Sequence, residues 1–246
     1  MQKDNKYENR LATEPMLPLI FKMSLPAIAA QIVNLLYNII DRIYIGHIPQ
    51  IGTQALAGVG LTTAITILIT AFAAIVGSGA APLASIALGQ GDREHSEQIL
   101  GNGFSLLMIF AIVILLITYL FMKPILQRAG ASPETMPYAI DYLQIYLYGT
   151  FFILISTGLN SFINVQGRPA IAMWSILIGA IINIIMDPIL IFGLFGFPRM
   201  EVAGAAVATV AGQIIGMLLS LFFNFTKNKD IHIRLRGFRP HGETIT

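Results

Sequence analysis

The chain has 246 residues, 55% of them hydrophobic and only 11% charged, with a formal net charge of +2. Soluble domains carry about 25% charged residues, and this much apolar surface could not be hidden in a soluble fold of this length. Disorder is excluded on the same ground. With no cysteine, so are a disulfide scaffold, a thiolate zinc site and a cysteine nucleophile.

Stretches free of Asp, Glu, Lys and Arg predict six spans at about 17–47, 53–88, 99–122, 137–164, 169–195 and 201–225. Each meets the roughly 20 apolar residues that crossing a bilayer requires. Gly and Pro punctuate the connectors: Gly89-Gln90-Gly91-Asp92-Arg93, Lys123-Pro124 with Ala131-Ser132-Pro133, and Gln166-Gly167-Arg168-Pro169. The basic residues stand mostly at span ends, the pattern of a membrane protein and not of a nucleic-acid binder. Eleven of the fifteen Lys and Arg fall on the side of the N-terminus, the second and fourth connectors and the C-terminus; the others are Arg42, Lys123, Arg128 and Arg199. This asymmetry places both termini in the cytoplasm. The organisation expected is a cytoplasmic segment 1–16, a six-helix unit 17–225 and a basic cytoplasmic tail or linker 226–246.

Along the first span, Pro26 predicts a bend, static or mobile, because it removes a helix amide. Asn34, Tyr37, Asn38 and Asp41 follow at i, i+3, i+4 and i+7, on one helix face. On the fifth span Asn183 and Asp187 are four apart and Pro188 follows; on the sixth lies Thr209. Counted from the outer ends at 1.5 Å per residue, Asp41, Asp187 and Thr209 share a depth of roughly 10–12 Å. A charge there costs about 2.5–3.5 kcal/mol on insertion scales, so buried acids point to function when oxygen-bearing partners are near. Such a cluster suits a hard cation such as sodium, or a proton on a carboxylate. The alternatives are helix-to-helix glue for Asp187 and pairing of Asp41 with Arg42.

Weaker signals accompany these. Each acid is followed twenty-two residues on by a threonine, Thr63 and Thr209, which suggests that helix pairs 1–2 and 5–6 are parallel copies. Gly212 and Gly216 form a close-packing motif within the bundle or toward another chain. Tyr138, Tyr142 and Tyr146 read as an interfacial belt or as a stacking surface for an aromatic cation. Of Asn160 and Asn164, further down the same helix, one is expected to face a cavity and the other to cap the turn at Gln166-Gly167, and the ten methionines and fifteen phenylalanines would suit lipid contact, core or an adaptable apolar cavity. No nucleophile and base stand together, so the chain is read as no enzyme.

Taken together, Ser24-Leu25-Pro26-Ala27, Leu36 to Asp41, Ile45-Gly46-His47 and Ala55-Leu56-Ala57-Gly58 resemble the first two helices of the multidrug and toxic compound extrusion (MATE) family. Leu88 to Asp92, Asn164 to Pro169, Asn183 to Pro188, and Val202 to Ala206 with Thr209 are similar to its later segments. The resemblance implies an all-α, polytopic fold: the N-terminal six-helix lobe of a two-lobe transporter in a plasma or bacterial inner membrane. It implies cation-coupled antiport, by sodium or proton, of organic cations and drugs, with no cofactor. Asp41, Asp187, Asn183, Thr209 and Tyr37 would hold the coupling cation or proton, sodium falling to Asp187 and Asn183. Asn34 and Asn160 would line the substrate cavity, and the first helix would bend at Pro26. The partners expected are the bilayer, small organic cations or drugs, and a C-terminal lobe or second chain. The other readings are a lipid-linked oligosaccharide flippase, which should be richer in cavity Arg and Lys, and a fragment that transports nothing.

Overall fold

A computed structural model describes residues 15–224. The expected N-terminal segment and basic tail lie, except for residues 15 and 16, outside the described residues.

Six long helices make up the described chain: α1 Met16–Gly46, α2 Gly52–Gly89, α3 Arg93–Arg128, α4 Met136–Val165, α5 Pro169–Phe192 and α6 Glu201–Phe222, with a 3-10 turn at Leu194–Gly196 between the last two. All six are long and apolar enough to cross a membrane. The described residues are therefore all-helical, and the protein is a multi-pass membrane protein. Local chemistry sets the helix ends. Asp92 caps α3 by accepting the His95 amide at 3.0 Å, satisfying one of the donors that a helix start leaves unpaired. Pro169 opens α5, where its missing amide costs nothing. Gly193, at φ 72°, closes α5 in a left-handed cap.

Two boundaries differ from expectation. Helix α3 runs on to Arg128 with Pro124 inside it, although Lys123-Pro124 was expected to form a connector. The charged residues of that last turn lie where the helix is leaving the apolar layer, and a proline spoils one helical bond without forbidding the next turn. Helix α5 stops at Phe192, three residues before the expected end, because the Gly193 cap turns the chain back. The Met200 amide then bonds the Leu190 carbonyl at 2.9 Å.

Helix α4 is the most enclosed of the six and packs against α2, α3 and α6. Helix α6 also packs along α5, and α5 is the main support of α1. Little of α1 is covered: only Ala30, Asp41 and Ile45 are buried, while Leu17, Phe21, Leu25 and Leu35 are exposed. Such a face suits lipid or a further protein body. Helices α1 and α2 touch sparsely whereas α5 and α6 pack intimately, so the two proposed copies are not equivalent in packing.

Candidate functional site

Helices α5 and α6 cross at two glycines. A Cβ on Gly179 or on Gly212 would meet the carbonyl of the other, so only glycine permits this approach. The Gly212 motif thus serves contact inside the bundle. The crossing brings Asn183, one turn along α5, beside Thr209, one turn back on α6.

There the Asn183 amide nitrogen stands 3.2 Å from Thr209 Oγ1 and 3.4 Å from Asp187 Oδ1. All three side chains are buried, Asp187 completely. Among the described residues the other Asp187 oxygen, Oδ2, has no hydrogen-bond partner, nor has Asn183 Oδ1. Buried oxygens are nearly always paired, so two orphans at one point mark a place built for a donor, a proton or a cation.

Asp41 is also buried, and its Oδ1 has no partner among the described residues. It lies within electrostatic range of Asp187. Tyr37 lies against Asn38 and Gln213 within the field of both acids, and Tyr142 reaches Thr209 from α4. All the orphaned atoms here are oxygens, the donor type a hard cation takes. Among the described residues no group of three or more His, Cys, Asp or Glu converges, so carboxylates alone do not make a cage. Arg42 lies within electrostatic range of Asp41, but among the described residues it makes no ion pair with it; its guanidinium donates to Thr63 Oγ1 of α2 at 3.0 Å.

A cavity of about 410 Å³ adjoins this cluster, enclosed by α1, α2, α4, α5 and α6. Its wall includes Asn34, Tyr37, Asn160, Asn183 and Thr209, whereas neither Asp41 nor Asp187 lines it. Asn183 and Thr209 therefore form a partition, with acids on one side and open space on the other. On the floor, Ser175 of α5 and Ser220 of α6 each approach Asn160 Oδ1 of α4 to 2.9 Å. All three are buried, and together they tie three helices.

Several side chains take places other than those expected. Tyr142 and Tyr146 are buried, stacked 5.9 Å apart, so they do not form an interfacial belt. Among the described residues no methionine or phenylalanine lines the cavity, so these residues do not make it the adaptable apolar pocket they suggested. Glu97, in the second turn of α3, is buried and pairs with Arg93 at 3.5 Å. Gln31, Gln213, Ser156 and Ser175 line the cavity and were not picked out from the sequence. The available signal was spacing: Gln213 is four residues after Thr209, and Gln31 three before Asn34.

Residues 26–189 match the family model described as MatE. The chain is 28% identical over 225 residues to the FAD transporter of Shewanella oneidensis, covering 91% of this chain and 49% of that one. It is 30% identical over 217 residues to the multidrug export protein MepA of Staphylococcus haemolyticus, covering 88% and 47%. Among solved structures, it superposes on a MATE protein in the bent conformation with a TM-score of 0.87 at 27% identity, over 98% of this chain and 52% of that one. A MATE transporter of the MOP superfamily, facing outward, gives 0.83 at 28%, over 92% and 49%. The chain thus spans about half the length of the relatives it matches.

Proposed function

We infer that this chain, which belongs to the MatE family, supplies one six-helix lobe of a cation-coupled exporter of small organic molecules, and that this lobe carries the coupling site. The observation that carries the reading is the partition. Asn183 donates to Asp187 and to Thr209, and both Asn183 and Thr209 also face the cavity. A cation or proton arriving at the acids relieves repulsion between two buried carboxylates. It also draws on Asn183 Oδ1 and Asp187 Oδ2, the two oxygens without partners. Any turn of the Asn183 amide toward that charge changes the cavity wall, so occupation of one side alters affinity on the other, which is reciprocal coupling.

Among the relatives, one is named for multidrug export and one for FAD transport; export of drugs and organic cations is the use the resemblance implies. Alternating access requires a second body against which this one rocks, here a C-terminal lobe or a second chain. The exposed length of α1 suits that contact, with Pro26, about four turns before Asp41, as its flexible point.

Flux in proteoliposomes tests the reading. The assembled transporter is expected to expel a dye when a sodium or a proton gradient, imposed separately, is directed inward. Asp187→Asn is expected to abolish the gradient-driven part. Undiminished coupled flux in Asp187→Asn overturns the assignment of the site.

A further inference from the structure

The cavity wall mixes amides and hydroxyls with Ile67, Ile153, Ile176 and the side chains of Tyr37 and Tyr146. Among the described residues its one charged member is Arg42, and no carboxylate lines it. A ligand held here must satisfy those amides and hydroxyls, since buried polar groups left unpaired weaken binding.

The orientation of the polar groups says more. Thr66 and Thr70 of α2 give their hydroxyl protons to their own backbone, Thr66 to the Thr63 carbonyl at 2.9 Å and Thr70 to the Ile67 carbonyl at 2.9 Å. Their oxygen lone pairs remain for a ligand's donors. Asn164, also on the wall, has an Oδ1 with no partner. These groups ask for hydroxyl or amide donors. At the other end Arg42 spends one donor on Thr63, out of five in a planar fork suited to a carboxylate or phosphate.

We propose that the cavity accepts a polar organic anion: a small molecule whose carboxylate or phosphate docks on Arg42 and whose hydroxyl- or amide-rich body lies along the α2 threonines and Asn164. This rests on the transport reading only for the solute's onward movement. Binding is tested apart from transport, because Arg42, the α2 threonines and Asn164 all belong to this chain.

The test is therefore equilibrium binding by the purified chain in lipid nanodiscs, read by fluorescence polarisation. The anionic probe is carboxyfluorescein and the cationic probe is ethidium. Carboxyfluorescein is expected to bind roughly tenfold or more tightly than ethidium. Arg42→Gln is expected to erase that preference and Arg42→Lys to keep most of it. Arg42 is exposed, so neither variant disturbs packing; a monodisperse elution profile checks this. Ethidium binding as tightly as carboxyfluorescein, or a preference that survives Arg42→Gln, overturns the proposal. Selective binding with no coupled flux in the dye experiment above would sink the transport reading and leave this one standing.

Discussion

Gly179 of α5 and Gly212 of α6 face each other so closely that a Cβ on either would run into the other's carbonyl oxygen. That contact sets the distance between Asn183 and Thr209, and through it the partition between the acids and the cavity.

A side chain at Gly212 forces the two helices apart. Gly212→Val is expected to destabilise the protein by about 1–3 kcal/mol. At Gly216 the nearest obstacle to a Cβ is the Ser156 hydroxyl at 3.2 Å, a side chain that can turn away, so Gly216→Ala should cost less. At Gly60 nothing stands within 4 Å, and Gly60→Ala should be neutral or slightly stabilising through higher helix propensity. Thermal unfolding followed by a fluorescent dye or by circular dichroism would rank the three. Equal melting temperatures would contradict the close crossing.

Asn183 and Thr209 share a hydrogen bond at 3.2 Å between buried groups. Interhelical bonds of this kind are worth about 0.6–2 kcal/mol in membranes. A double-mutant cycle with Asn183→Leu and Thr209→Val should give a coupling energy in that range. The same cycle run on coupled flux should also be non-additive, since either change opens the partition. Strict additivity in both would mean that the two side chains act independently.

Asp187 is fully buried and within electrostatic range of Asp41. Asp187→Asn keeps an acceptor for the Asn183 amide and removes one charge. Melting temperature should therefore rise, while stabilisation by sodium, or by acidification, should shrink or vanish. Opposite movements of stability and coupling are the mark of an acid kept for function. A lower melting temperature with the cation response intact would assign Asp187 to structural glue instead.

Asn160 is the meeting point of Ser175 and Ser220. Asn160→Leu leaves hydroxyls unpaired and should cost about 1–3 kcal/mol. Ser175 has a second acceptor, the Ala172 carbonyl at 2.8 Å, so the loss should centre on Ser220. Adding Ser220→Ala to Asn160→Leu should then recover part of the stability. If Ser175→Ala rescues as well as Ser220→Ala, the Ala172 bond is not the substitute it appears from the geometry.

Much of this was legible in the linear order of residues. Six apolar stretches each longer than a bilayer is thick leave few folds available, because the bilayer core offers no water to unpaired backbone groups. The pairing of Asn183 with Asp187 was legible for a similar reason: four residues on a helix is one turn, whatever surrounds it. The asparagines of α1 behaved alike, Asn38 donating to the Asn34 carbonyl at 2.7 Å.

The relation of Thr209 to Asn183 is of another kind, for it depends on how closely α5 and α6 approach, and glycine spacing shows only that they can. Depth counting placed Asp187 eight residues from its helix end, but the Gly193 cap cuts that to five. The threonine pair illustrates both sides. Thr63 and Thr209 each bond a polar residue near an acid on a neighbouring helix, Arg42 and Asn183, yet the helix pairs pack differently. Local periodicity determined which residues share a face and which spans cross the membrane. Only the packing of α4 against α2 and α6, and of α5 against α1, decided that Tyr142 and Tyr146 point inward, that the wall holds amides and not methionines, and that both acids sit behind it. The reason is physical: helix geometry is set by bonds four residues apart, whereas a cavity is what remains when five helices have made their contacts.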